Sequence, residues 1–134
     1  MYQLEEHGEM IGDPVRMRAF ETAIERCVRE GDVVVDIGAG AGILSLLACR
    51  AGARRVYAIE PDPVIRLARE LAAAAGIEDR IVCIASTSEE AQLPERADVI
   101  LSDLCGSLPL FQRRLSVLQD ARERFLTTGG RLVP

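Results

Sequence analysis

The chain has 134 residues, 49% hydrophobic and 28% charged, with a formal net charge of −5; that suits one soluble globular domain with a real core. The acidic balance argues against bulk nucleic-acid binding, which draws on an excess of basic side chains. Four cysteines without a CxxC, and a single histidine, exclude zinc-site spacing. Nothing resembles a secretory signal, and no apolar run nears the ~18 residues of a membrane span, so no membrane partner and a cytoplasmic location are expected.

Short β-branched runs alternate with segments of helical period, the pattern of a parallel sheet with crossover helices. Residues 17–29 put Phe20, Ala23, Ile24, Cys27 and Val28 on one helical face, and Gly31 suits the C-terminal cap. Val33-Val34-Val35-Asp36-Ile37 is too continuous in apolar character for a half-exposed strand and reads as one buried on both faces. A glycine-rich turn follows, then a helix through Ile43–Ala48 that closes near Gly52. Val56–Ile59 is the second strand. Asp62 and Pro63 read as N-cap and first residue of a helix. Its apolar stripe is Val64, Leu67, Ala68, Leu71 and Ala75, and it stops at Gly76. Ile81–Ile84 and Val99–Leu101 are the third and fourth strands. A helix over about 112–126 leads to Gly129 and Gly130, and Arg131–Val133 begins a fifth strand. The expected fold class is therefore α/β, a doubly wound, mostly parallel, Rossmann-like sheet. It forms one domain over 1–134, with a helical cover over 1–31 and a βα core over 32–134. Pro134 falls where the fifth strand has barely begun, so the sequence reads as a domain truncated after that strand.

Asp36-Ile37-Gly38-Ala39-Gly40-Ala41-Gly42 lies between a strand and a helix. Bare glycines let the backbone turn tightly and approach a ligand at a helix N-terminus, where N–H groups point outward. Glu60 ends the next strand, 18 residues after Gly42, where a carboxylate can accept both hydroxyls of a ribose. The spacing is GxGxG, with Ile43 where the dinucleotide fingerprint GxGxxG has its last glycine. That spacing favours S-adenosylmethionine (SAM), which carries an amine, a carboxylate and a sulfonium, over a pyrophosphate. Asp36 would hold the methionine amine, directly or through water. Capping or solvation of strand ends is the alternative role for Asp36 and Glu60.

The run Val33–Ser45 (VVVDIGAGAGILS), followed by Ala51–Glu60 (AGARRVYAIE), resembles the first two cofactor motifs of the protein arginine methyltransferases. The resemblance extends over nearly the whole chain. It implies the class I SAM-dependent methyltransferase fold, SAM as cofactor and methyl transfer as the reaction. Its implied cofactor contacts are Asp36, Gly38, Gly40, Gly42 and Leu44, then Glu60 and Pro61. His7, Met10, Asp13 and Arg16 resemble that family's N-terminal segment, which folds over the cofactor. Arg16 would clamp the methionine carboxylate, a charge-assisted contact worth about 1.5–3 kcal/mol. Ser86–Glu90, then Leu93 and Pro94, resembles the loop that holds the adenine, with Ser88 and Glu89 at the base; Glu89 or Glu90 could equally cap a short helix after it.

The match breaks at the acceptor site. Ser102-Asp103-Leu104-Cys105-Gly106 stands where the family has a serine, a glutamate and an aromatic-methionine-glycine. Phe111-Gln112 stands where it has an aromatic and a second glutamate. Two glutamates grip a guanidinium, whereas an aspartate and an amide offer one charge. A unit charge at ~4 Å is worth about 4 kcal/mol at an effective dielectric near 20, so arginine is poorly served. Asp103 and Gln112 are the expected catalytic residues. Asp103 accepts a hydrogen bond from the acceptor and orients its lone pair, Gln112 completes the site without charge, and Leu104, Cys105 and Leu108 supply apolar walls. Alignment of acceptor, methyl carbon and sulfur supplies much of the acceleration. The methyl acceptor is read as an amine or hydroxyl in a protein, small molecule or RNA. The second reading is a non-catalytic SAM-binding or dimerisation remnant. The family continues into a β-barrel and a helical dimerisation arm, and apolar surface which those parts cover is expected to favour a homodimer.

Overall fold

The computed structural model describes residues 14–103 and 111–133, apart from the side chains of 111–113. In chain order the elements are α1 (Pro14–Cys27), β1 (Val33–Ile37), α2 (Ile43–Arg50), β2 (Arg55–Ile59), α3 (Ile65–Ala74), β3 (Ile81–Ile84), β4 (Ala97–Ser102), α4 (Phe111–Phe125) and β5 (Leu126–Val133). The five strands form one sheet in the order β3-β2-β1-β4-β5, and every pairing is parallel. All residues of β1 are buried, which is why its sequence is apolar at every position but Asp36 rather than alternating.

Strand residues of one parity face one layer of helices. Val34, Val56, Ala58, Val99 and Leu101 pack with Ile24 of α1, Ala48 of α2 and Ala68 of α3. The other parity, Val33, Val35, Tyr57, Ile59 and Ile100, meets Ala121 and Phe125 of α4 and Ala91 of the loop after β3. The sheet is thus wound on both faces, with β2 and β3 on one side of β1 and β4 and β5 on the other. The order reverses between β1 and β4, which opens a crevice at the carboxyl ends of those strands.

Three expectations need correction. The buried stripe of α3 is Ile65, Ala68 and Ala72, whereas Leu67 and Ala75 are exposed. The small Ala68 side chain lets α3 lie close against Gly42, and Leu67 points outward. The helix begins at Ile65, but Asp62 still caps a turn in front of it. Its Oδ1 accepts from Val64 N at 3.0 Å and its carbonyl from Ile65 N at 3.1 Å. Finally, β5 begins at Leu126, not Arg131. Leu126 pairs with Ala97 and Arg131 with Val99 across a register irregularity, which includes Gly129 at φ 78°. Among the described residues no helix is long and apolar enough to cross a membrane.

Candidate functional site

Gly38, Gly40 and Gly42 have φ of 70°, 56° and 84°, a left-handed region that side chains disfavour. Gly38 N and Ala39 N both donate to the Ile59 carbonyl, at 2.9 and 3.1 Å, which pins the turn to the end of β2. A Cβ on Gly42 would stand 2.7 Å from the Ala68 Cβ, so that position is closed to side chains by α3 as well as by conformation. Gly42 caps α2 with no side-chain hydrogen bond. In that first turn the Ser45 backbone turns to the Asp36 carboxylate, in keeping with the preference of a helix N-terminus for negative charge. The Leu44 side chain is buried in the core.

Two carboxylates flank this turn. Asp36 is 1% exposed, and its Oδ2 accepts from Ser45 Oγ at 2.7 Å. Its Oδ1 has no hydrogen-bond partner among the described residues. Burial pushes its pKa up to about 7; the Ser45 hydroxyl pulls it down, and the carboxylates of Asp103 and Glu60 push it up further. Glu60 is also buried. Its Oε1 accepts from Gly40 N at 2.9 Å and its Oε2 from Asp62 N at 3.0 Å. Pro61 beside it is exposed.

At the crevice rim, Arg16 of α1 is ion-paired with Asp103, just past β4. The two residues assigned to the cofactor carboxylate and to the acceptor thus meet each other. The loop after β3 starts at the same rim, since Glu60 N donates to the Ile84 carbonyl at 3.0 Å. Ser88 is buried, and Glu89 and Glu90 are exposed. Neither glutamate caps the turn. Thr87 does so, its Oγ1 accepting from Glu90 N at 3.3 Å and its carbonyl from Ala91 N at 3.1 Å. His7, Met10, Asp13, Leu104, Cys105, Leu108 and the Gln112 side chain lie outside the described residues.

Sequence reasoning gave no role to Ser45, whose hydroxyl reaches Asp36. Ser45 is a lone hydroxyl in an apolar helix start, and that pattern could have marked it as the Asp36 partner. Ser102 is fully buried, paired in register with Ile37 at the end of β1.

A doubly wound parallel sheet with a GxGxG turn, a buried aspartate before it and a strand-tip glutamate after it defines the class I, SAM-dependent methyltransferase core. The chain belongs to the methyltransferase family whose model, described as Ribosomal protein L11 methyltransferase (PrmA), matches residues 20–131. It is 37% identical over 130 residues to a probable protein arginine N-methyltransferase 6 of Arabidopsis thaliana, covering 96% of this chain and 30% of that protein. It is 42% identical over 135 residues to a probable histone-arginine methyltransferase CARM1 of Oryza sativa subsp. indica, covering 98% of this chain and 26% of that protein. The fold matches a solved Trypanosoma brucei PRMT1 enzyme-prozyme heterotetrameric complex with AdoHcy at a TM-score of 0.91 and 34% identity, covering 98% of this chain and 42% of that one. The chain therefore spans roughly a quarter to two-fifths of the length of these relatives.

Proposed function

We propose that this chain binds S-adenosylmethionine at the carboxyl ends of β1, β2 and β3 and serves methyl transfer to an amine or hydroxyl acceptor. The observation that carries the reading is the buried Asp36 carboxylate, whose Oδ1 has no partner among the described residues beside a turn of backbone N–H groups. An ammonium satisfies that oxygen and removes the cost of burying a lone charge. Glu60 serves the ribose. Each of its oxygens already accepts one N–H and keeps lone-pair capacity for a hydroxyl. Arg16 has five N–H donors, enough to serve Asp103 and the methionine carboxylate together. His7 and Met10 complete the cover, and Ser88 and Glu89 meet the adenine. The bound cofactor supplies an electrophilic methyl group on sulfur.

Asp103 accepts a hydrogen bond from the acceptor and Gln112 adds a neutral one. The names of the relatives support a nitrogen acceptor on a protein. The acid–amide pair supports an acceptor with one donor in place of a guanidinium. A homodimer goes with this reading: Val15 and Leu115 are large apolar side chains exposed at 79% and 51%, and sedimentation showing a monomer at all concentrations would remove it. The main test is calorimetric titration with SAM, followed by a mass-spectrometric methyl-acceptor screen that includes arginine peptides. Submicromolar to micromolar binding and methyl transfer are expected. Asp103→Ala with unchanged SAM affinity and unchanged turnover would overturn the acceptor assignment.

A further inference from the structure

The turn that follows β3 is tied to α4 by the guanidinium of Arg124, in addition to its own cap at Thr87. Arg124 Nη1 donates to the Ser88 carbonyl at 2.9 Å and to the Glu89 carbonyl at 3.1 Å. Its Nη2 donates to the Ala91 carbonyl at 2.5 Å. The guanidinium is itself fixed from its own helix. Asp120 Oδ2 accepts from Nη1 at 3.0 Å, and the group lies 4.8 Å over the ring of Phe125, which is 3% exposed. Ala91 joins Ala121 and Phe125 in the same core cluster, so the far end of the turn is anchored to α4 by packing as well.

The geometry points to Arg124 as a positioning residue for the cofactor's base: it locks the Ser88–Ala91 backbone so that Ser88 and Glu89 meet adenine, and so sets the preference for adenine. The inference rests on the SAM-binding reading above. Glu89 is exposed, so contacts of its own side chain do not fix it; the backbone beneath it does. A turn that is already ordered spends less binding free energy on ordering when the base arrives. A planar fork reaches several carbonyls at once, which a compact ammonium on a flexible stem does not reproduce.

The test titrates the wild-type chain, R124A and R124K with S-adenosylhomocysteine and with its inosine counterpart, which carries a carbonyl in place of the purine amine. Wild type is expected to prefer the adenine compound by about tenfold or more, the size of one or two hydrogen bonds. R124A is expected to lose most of that preference by weakening the adenine compound about tenfold while the inosine compound shifts little. R124K should recover only part, and KM for SAM should rise while kcat at saturating SAM stays within about twofold. A merely structural role weakens both ligands equally, and that result, or an unchanged preference in R124A, overturns the proposal. If R124A does not fold, Asp120→Asn loosens the same guanidinium, and an unchanged preference there overturns it too. Wild type binding neither compound removes the SAM reading and this inference together. Wild type binding with an unaltered R124A removes this inference alone.

Discussion

Arg16, in the first turn of α1, is ion-paired with Asp103, 87 residues later at the tip of β4. The pair ties the N-terminal helix to the crevice rim, and the Arg16 guanidinium also lies 5.7 Å over the Phe20 ring. The two side chains are 29% and 19% exposed, so water screens their attraction only in part. The residue proposed to clamp the cofactor and the one proposed to orient the acceptor are thereby ion-paired with each other.

Separating the two roles is the first expectation. Arg16→Ala should weaken SAM binding about 10- to 100-fold, the value of a charge-assisted hydrogen bond. Asp103→Asn should leave SAM affinity within about threefold while methyl transfer falls on the order of 100-fold, the cost of a misaligned acceptor. Titration and single-turnover rates check this, and equal losses in both quantities for Asp103→Asn would refute the division.

The pH dependence follows from Asp36, whose pKa is pushed up to about 7 by burial. Its folded-state value lies above its unfolded one, so the folded chain binds this proton first as pH falls. The stabilisation from that proton is fully present below about pH 4 and is lost as pH rises through about 7, an effect on the order of 4 kcal/mol. Asp36→Asn should remove this component, read as the difference between the two unfolding curves across that window. The cofactor ammonium needs the ionised acid, so SAM affinity should rise with pH from about 5.5 to 7, with proton release detectable by calorimetry in buffers of different ionisation enthalpy. A pH-independent affinity in wild type would contradict the pairing of Asp36 with the amine.

Gly42→Ala combines a left-handed φ of 84° with a Cβ placed 2.7 Å from the Ala68 Cβ. Denaturant unfolding should show a loss of about 2–4 kcal/mol, from overpacking plus backbone strain. Adding Ala68→Gly should relieve the steric part, leaving the conformational part of about 1–2 kcal/mol together with the cost of about 1 kcal/mol that Ala68→Gly alone has inside α3 and that the single variant measures. Full restoration by the double substitution would show that φ carries no cost there.

Arg80 acts at the opposite end of the sheet, and its loss should cost stability alone. Its Nη2 donates to the Cys49 carbonyl at 2.7 Å, its Nε to that of Ala53 at 3.2 Å, which closes the C-terminus of α2 with a positive charge. Arg80→Ala should lower unfolding free energy by about 1.5–3 kcal/mol without altering SAM affinity. A lowered affinity at unchanged stability would place Arg80 in the binding machinery instead.

The central strands were legible because burial on both faces favours apolar residues throughout, as in Val33–Val35 and Ile37, and the one polar residue of that strand, Asp36, stands at its carboxyl end beside the turn. Asp36, the glycines and Glu60 were legible for a related reason: they sit at the boundary between an apolar run and a turn. The stripe of α3 was misread at Leu67 and Ala75, because several apolar registers fit this alanine- and leucine-rich helix and only packing selects the one through Ile65, Ala68 and Ala72. The early start of β5 was hidden by Thr127–Gly130, whose composition reads as a loop although Leu126 already pairs with Ala97.

The amino-acid sequence by itself determined the alternation of strands and helices, the place of the ligand turn and the acids beside it. These depend on local spacing, on glycine's freedom and on which residues tolerate burial. Only the tertiary structure decided that Arg16 meets Asp103, that Ser45 serves Asp36 and that Arg124 holds the turn of Ser88 and Glu89. The sheet order β3-β2-β1-β4-β5 converts separations of tens of residues along the chain into hydrogen-bond distances at one crevice. A parallel sheet brings the carboxyl ends of its strands to one edge, and the groups just beyond them must satisfy one another or a ligand.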